Sequence, residues 1–385
     1  MKTTKKFLSL VLAVIMIVCT VPMVFAEGNT YKVGDIIQFG SYPQSEVTDS
    51  TTLTSLNNKV PAWNNWTSYG YYSGTGYFYG TMKQGDWMRY TDVNYNGNKY
   101  RAVKFTQYRP DSTDRTSNSS YQDDNGYNIN TIYWFKFEAI DWRVLDPVTG
   151  LVMCETIIDS QPYSNTLYYN EEIGESTSYY KFFNDSAYTN YASDYETSSI
   201  RQWLNNDFYN TAFTDSEKNE INITTLNNNG YYTSVGTTGY EKLDSKETND
   251  KIFLLSYNEV RNSKFGFKSN VSTIDKARFG TGSDYAQCQG LNVYRNSEYN
   301  YNNNSYWLLR SSGQTSMSSC GVTYYGMLDC YYPVYDANYG IRPALKLKLI
   351  SSGQTSTEEP KKENLLQKII TLLKNLINKL FGWLK

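Results

Sequence analysis

Apolar and polar residues alternate along much of this chain, and the 3.6-residue stripe of a helix surfaces only in a few short places. Tyr31-Lys32-Val33-Gly34-Asp35-Ile36-Ile37-Gln38-Phe39 reads as a first strand, and Gly40-Ser41-Tyr42-Pro43-Gln44 turns the chain. Tyr100-Arg101-Ala102-Val103-Lys104-Phe105 is a further strand. Alternation over 133–145 and the apolar run Leu151-Val152-Met153-Cys154 flank Asp146-Pro147, which predicts a hairpin. Lys251-Ile252-Phe253-Leu254-Leu255 reads as a buried strand, followed by a turn into a short helix at 256–260. Two blocks set an Arg beside a strand-like apolar run: Tyr306-Trp307-Leu308-Leu309-Arg310-Ser311-Ser312-Gly313 and Gly340-Ile341-Arg342-Pro343-Ala344-Leu345. The clearest helix is Ser199-Ile200-Arg201-Gln202-Trp203-Leu204-Asn205. A cap-type residue opens it, and Ile200, Trp203 and Leu204 share one face. Thr214-Asp215-Ser216-Glu217 starts a second. Few short helices among many short strands and long loops predict an α+β domain over residues 27–350, its core running from about 31 to 350. A Tyr-, Asn- and Gly-rich stretch at about 60–130 reads as an insertion in it.

The two ends follow other patterns. Lys2, Lys5 and Lys6 precede an apolar run at 7–21, and Val24-Phe25-Ala26 ends on a small residue. Residues 1–26 therefore read as a secretory signal peptide cleaved after Ala26. Ile17 and Val18 stand where a lipidated Cys19 would need small neighbours. Residues 351–363 form a polar linker. In 364–385, Leu366, Ile369, Leu373, Leu376, Leu380 and Trp383 recur at alternating spacings of three and four, with Lys368, Lys374, Lys379 and Lys385 off that stripe. This predicts a separate, cationic amphipathic helix. It suits an anionic membrane surface, a partner helix, or a dock on its own domain. The first of these implies retention at the cell surface.

Composition narrows the chemistry. The chain has 38 Tyr and no His, so Ser-His-Asp triads, Cys-His pairs and His-held metals are excluded. A formal net charge of −2 gives no sign of nucleic-acid binding. Cys320 and Cys330 bracket a strand-like segment and a turn, which makes them the expected disulfide of an exported chain. Cys154, in an apolar strand, is expected to be a buried free thiol. No metal or other cofactor is predicted. A structural calcium ion lacks support, because Asp123-Asp124 and Glu171-Glu172 are adjacent acids and not a spaced ladder of ligands.

Several words occur together and in order: Phe39-Gly40-Ser41-Tyr42-Pro43-Gln44, Phe137-Glu138-Ala139-Ile140-Asp141-Trp142-Arg143-Val144-Leu145, the 198–205 helix with Phe208-Tyr209 and Ala212-Phe213, Asp250-Lys251-Ile252-Phe253-Leu254-Leu255-Ser256, and the two Arg blocks. Over about residues 35–350 this set resembles the DUF6273 family, an uncharacterised domain of exported proteins in gut-type Gram-positive bacteria. Its order is also similar to the C-type-lectin-like fold of the formylglycine-generating-enzyme and sulfatase-modifying-factor group. That second likeness implies a C-type-lectin-like frame and brings no active site. The motif around that group's copper-binding cysteine pair is missing near Cys320 and Cys330, and the calcium-lectin words Glu-Pro-Asn and Trp-Asn-Asp are absent.

Weighed singly, Trp142, Trp203 and Trp307 are expected in the core, and Arg310 and Arg342 are expected to tie loops by bonding carbonyls or an acid. The functional expectation falls on Tyr-rich loops. Tyr324, Tyr325, Tyr331, Tyr332 and Tyr335 form one cluster, and Tyr71, Tyr72, Tyr77 and Tyr79 near Trp63 and Trp66 form another. Tyr supplies large contact area with a polar tip, which suits a glycan or a protein ligand. The sequence therefore predicts an exported, surface-associated binding or adhesion protein without catalysis. The alternatives are a hydrolase using two carboxylates on polysaccharide or peptidoglycan, and a variable display protein whose 301–339 loop is diversified.

Overall fold

The structure is a computed structural model. It describes residues 31–69, 88–109, 121–164 and 191–348, with the backbone of the strand pieces Tyr72–Ser73, Lys83–Gln84, Tyr168–Glu172 and Ser178–Phe182. The segments read as signal peptide, linker and C-terminal helix lie outside the described residues, as do Tyr71, Tyr77 and Tyr79 and the side chain of Tyr72.

The chain is an α+β protein, mostly strands with few short helices. Its main sheet has nine strands, all paired antiparallel. The order runs Ile221–Asn222, Ala344–Leu347, Leu151–Cys154, Tyr133–Asp146, Asn98–Phe105, Met88–Tyr95, Thr67–Ser68. Ile36–Glu46 also pairs with Tyr133–Asp146, and Ile252–Phe253 with Ala344–Leu347. Tyr133–Asp146 alternates as expected, sending Phe135, Phe137, Trp142 and Val144 inward. Its turn forms at Asp146, whose carboxylate accepts the Val148 N–H at 3.0 Å and the Thr149 hydroxyl at 2.7 Å. Gly150 follows at φ +74°, and a Cβ there would stand 2.0 Å from the Leu347 carbonyl oxygen, so a side chain is excluded twice over.

Part of the stretch read as an insertion belongs to the main sheet. Met88–Tyr95 and Asn98–Phe105 form a hairpin inside the main sheet, closed by Asn96 and Gly97 at φ 48° and 78°. Both central residues are left-handed, the geometry a two-residue hairpin turn needs. A bulge in Ile36–Glu46 breaks its register between Gln38 and Ser41, where Gly40 sits at φ +70° against Phe213. The bulge lets that strand bend and re-aims Tyr42.

A second, five-stranded sheet runs Leu328–Pro333, Ser318–Val322, Trp307–Ser312, Gly340–Ile341, Asp159–Ser160. The two Arg-bearing blocks meet here, with Trp307 and Gly340 paired in parallel. Cys320 and Cys330 are joined across neighbouring strands, while Cys154 and Cys288 are buried and free. Burial pushes the Cys154 thiol up to about 12.

Long loops are tied down by buried arginines. Arg342, 0% exposed, donates to the carbonyls of Cys154, Phe279 and Glu155 at 3.1, 2.9 and 2.8 Å and lies 4.9 Å over the Trp307 ring. Burial lowers its guanidinium to about 10. Arg310 bonds the Leu254 carbonyl at 2.9 Å and the Glu259 carboxylate at 2.5 Å. Trp142 and Trp307 are fully enclosed, their indoles donating to the carbonyls of Phe39 and Arg278 at 2.7 and 2.9 Å. A charged fork that satisfies several carbonyls at once replaces the ladder bonds that irregular backbone lacks.

Candidate functional site

The helical arm at 199–212 is the starting point. The Ser198 hydroxyl caps it by accepting the Arg201 N–H at 3.3 Å. After Ser199–Trp203 the ladder switches to a π turn, Leu204–Phe208, and returns to α at Tyr209–Ala212. Such turns are scarce and occur often at functional sites, because the wider turn rotates the side chains that follow. Here Leu204 and Phe208 enter the core, whereas Gln202, Trp203, Asn206 and Asp207 line a cavity of about 370 Å³.

Several other segments converge on that cavity. Tyr42 comes from the bulged strand, Tyr69 from just after Thr67–Ser68, Tyr90 and Arg101 from the Asn96–Gly97 hairpin, Asp159 and Gln161 from the edge of the second sheet, and Tyr285 from the helix Asp284–Cys288. Asp159 is 1% exposed. Its Oδ2 accepts the Tyr42 hydroxyl at 2.8 Å, and its Oδ1 accepts the Ser160 N–H at 2.7 Å and the Gln161 amide at 3.2 Å. Burial outweighs these donors and pushes the carboxyl up to about 6.

Arg101 is equally committed. Nε and Nη2 grip the Asp92 carboxylate at 2.8 and 3.0 Å, Nη1 reaches the Tyr285 oxygen at 3.4 Å, and the guanidinium lies 4.0 Å over the Tyr90 ring. The Tyr285 and Tyr69 hydroxyls stand 2.8 Å apart. Asp207 differs from both groups. It stands at the open side of the cavity, yet the surrounding protein removes enough water to push its carboxyl up. The rings of Trp203, Tyr69 and Tyr90 are only half-buried. The cavity thus combines open aromatic faces with planar amides and carboxylates, a set that holds a polar, C–H-bearing ligand by stacking and hydrogen bonds.

The residues singled out from the sequence fall elsewhere. Tyr324 and Tyr325 are half-buried in a surface stack: Tyr324 lies face to face with Tyr294 at 4.0 Å and edge-on to Tyr306 at 5.0 Å. Tyr331 is 58% exposed. Tyr332 and Tyr335, expected at the loop surface, are only 6% and 7% exposed and belong to the core, not to a contact surface. Strand alternation explains the split, since Tyr331 and Tyr332 are neighbours in Leu328–Pro333 and must face opposite ways. Trp203, expected in the core, is half-buried; it stacks on Phe208 at 5.6 Å and turns its free face to the cavity. Among the described residues, no cluster of three or more His, Cys, Asp or Glu is arranged to hold a metal ion.

A family model described as a domain of unknown function, DUF6273, matches residues 151–349. The cavity is therefore built partly from matched residues, Asp159, the 199–212 arm and Tyr285, and partly from Tyr42, Tyr69, Tyr90 and Arg101, which precede them. No curated protein and no solved structure matches the chain.

Proposed function

The chain belongs to the DUF6273 family, and on that premise we propose that it is an exported, cell-surface-associated protein that binds a saccharide in the Asp159–Trp203 cavity without catalysis. One observation carries the reading: half-open rings of Trp203, Tyr69 and Tyr90 share a cavity with Gln202, Asn206 and Asp207. A sugar presents an apolar C–H face to stack on such rings and a rim of hydroxyls to bond such groups. The volume lies in the range of small-ligand sites, about 300–1,000 Å³. Tyr294 and Tyr324, stacked face to face, with Tyr301 tilted against both, offer a second surface for an extended ligand. Export rests on the basic and apolar N-terminal pattern, and surface retention on the cationic C-terminal stripe. The C-type-lectin-like frame is part of the same proposal, supported by the order of the recurring words.

The test is a glycan array probed with the wild-type protein and with Trp203→Ala. Glycan signals that survive unchanged in the variant overturn the cavity assignment. A truncation at residue 360 is expected to move the protein from the cell surface to the medium.

Hydrolysis by two carboxylates is a second reading, favoured by Asp159 and Asp207 lining one cavity. It is the weaker of the two. Division of labour between acid and base requires ionisations driven apart, whereas burial raises both of these, and Asp159 already accepts three hydrogen bonds. New reducing ends released from a bound polysaccharide by wild type and not by Asp207→Asn would reinstate it.

A further inference from the structure

We propose that the cavity selects a saccharide bearing a free ammonium group, a deacetylated amino sugar, and that Asp207 receives that ammonium. The proposal rests on the saccharide reading above and concerns only the charge of the ligand.

Three placements carry it. First, Asp207 is the one charged group of the cavity without a hydrogen-bonding or oppositely charged partner among the described residues: no donor reaches its carboxylate, the surrounding protein takes water from it, and its charge is felt by the neighbouring Tyr90. The π turn holds it there, with Leu204 and Phe208 anchored in the core on either side. Second, Arg101 is the only cation among the described lining residues, and both edges of its guanidinium are already engaged, by Asp92 and by Tyr285. An anionic sugar entering the cavity would meet two carboxylates, Asp159 and Asp207, and no available positive charge. Third, Trp203 is the neighbour of Asp207 on the same arm and lines the same cavity with a half-open ring. An indole face attracts a cation as well as a sugar C–H face.

A neutral sugar would strip more water from the unpartnered carboxylate and return only hydrogen bonds. An ammonium returns a full counter-charge in a partly desolvated place, where it acts more strongly than in bulk water. N-acetylation removes that charge, so the acetylated form of one oligosaccharide is the natural comparison.

The experiment is calorimetric titration of the full-length protein with a glucosamine tetramer, its fully N-acetylated form, and a uronic acid oligosaccharide of equal length. The deacetylated tetramer is expected to bind about tenfold tighter than the acetylated one, a difference of about 1.4 kcal/mol, and the uronic acid chain weakest. Asp207→Asn is expected to abolish the preference, and Asp207→Glu, which keeps the charge, to retain it. The Glu variant also separates loss of charge from loss of fold. Equal or tighter binding of the acetylated tetramer overturns the ammonium assignment and leaves the saccharide reading intact. No binding of any of the three overturns both. Choline chloride binding as tightly as the deacetylated tetramer overturns the saccharide part, because a bare cation then suffices.

Discussion

Asp159→Asn isolates the free energy held in the most enclosed acid of the cavity. The folded carboxyl titrates at about 6, against 3.8 for an ordinary aspartate, because burial disfavours its charge. A shift of that size corresponds to about 3 kcal/mol. The sign follows from proton binding: between those two values the folded state holds the proton more tightly than the unfolded chain. The stabilising contribution is therefore complete below about pH 4 and is lost as pH rises through about 6. Between about pH 4.5 and about pH 8 the wild type should lose about 2 kcal/mol through this group. Asn keeps a carbonyl oxygen for the Ser160 and Gln161 donors and offers an N–H toward the Tyr42 oxygen, so the variant should fold and lack this loss. The chain contains no His, so no imidazole titration overlies the window. Urea unfolding of both proteins across that range is the assay. The variant should gain about 2 kcal/mol on the wild type between the acid and alkaline ends. Parallel stability curves would refute the assignment of a buried, destabilised charge to Asp159.

Further outcomes follow from the frame. Arg342→Met, which strands three buried carbonyls, should cost about 3–5 kcal/mol in urea unfolding; Arg342→Lys should not restore it, since one ammonium cannot reproduce the planar fork. Replacing Cys320 and Cys330 together by Ser should lower stability by about 2–3 kcal/mol, the value for a short closed loop, with reducing agent affecting only the wild type. Tyr332→Ala should cost about 3 kcal/mol or more, as for a buried aromatic, and Tyr331→Ala less than about 0.5 kcal/mol; equal effects by thermal denaturation would show that the strand faces have been misassigned.

Local pattern made much of the frame readable. The hairpin around Asp146, the cap at Ser198 and the capping box of Thr214 with Glu217 are each written in a few adjacent residues. So were the enclosed Trp142 and Trp307 and the bonding of Arg310 and Arg342, because large or charged side chains in apolar runs have few satisfactory environments. The Asn96–Gly97 hairpin was legible in principle but submerged in a stretch where Tyr, Asn and Gly are common everywhere. The cavity was not legible. Its walls come from segments more than 200 residues apart, and a π turn leaves no periodic signature. Tyr42 and Trp203 lay inside words already noticed, yet nothing local shows that a bulge at Gly40 and a widened turn after Trp203 aim them at one space. Clustering of Tyr in the sequence misled for a related reason: adjacency along a strand puts alternate rings on opposite faces.

The central claim is that ligand is held by the cavity and not by the tyrosine stack. Its most direct test is calorimetric titration of a bound saccharide into wild type, Trp203→Ala and the double variant Tyr324→Ala/Tyr325→Ala. The cavity account predicts at least about tenfold weaker binding for Trp203→Ala, as for loss of a stacking anchor, and less than about twofold for the tyrosine pair. Wild-type affinity in Trp203→Ala together with loss in the tyrosine pair would contradict it.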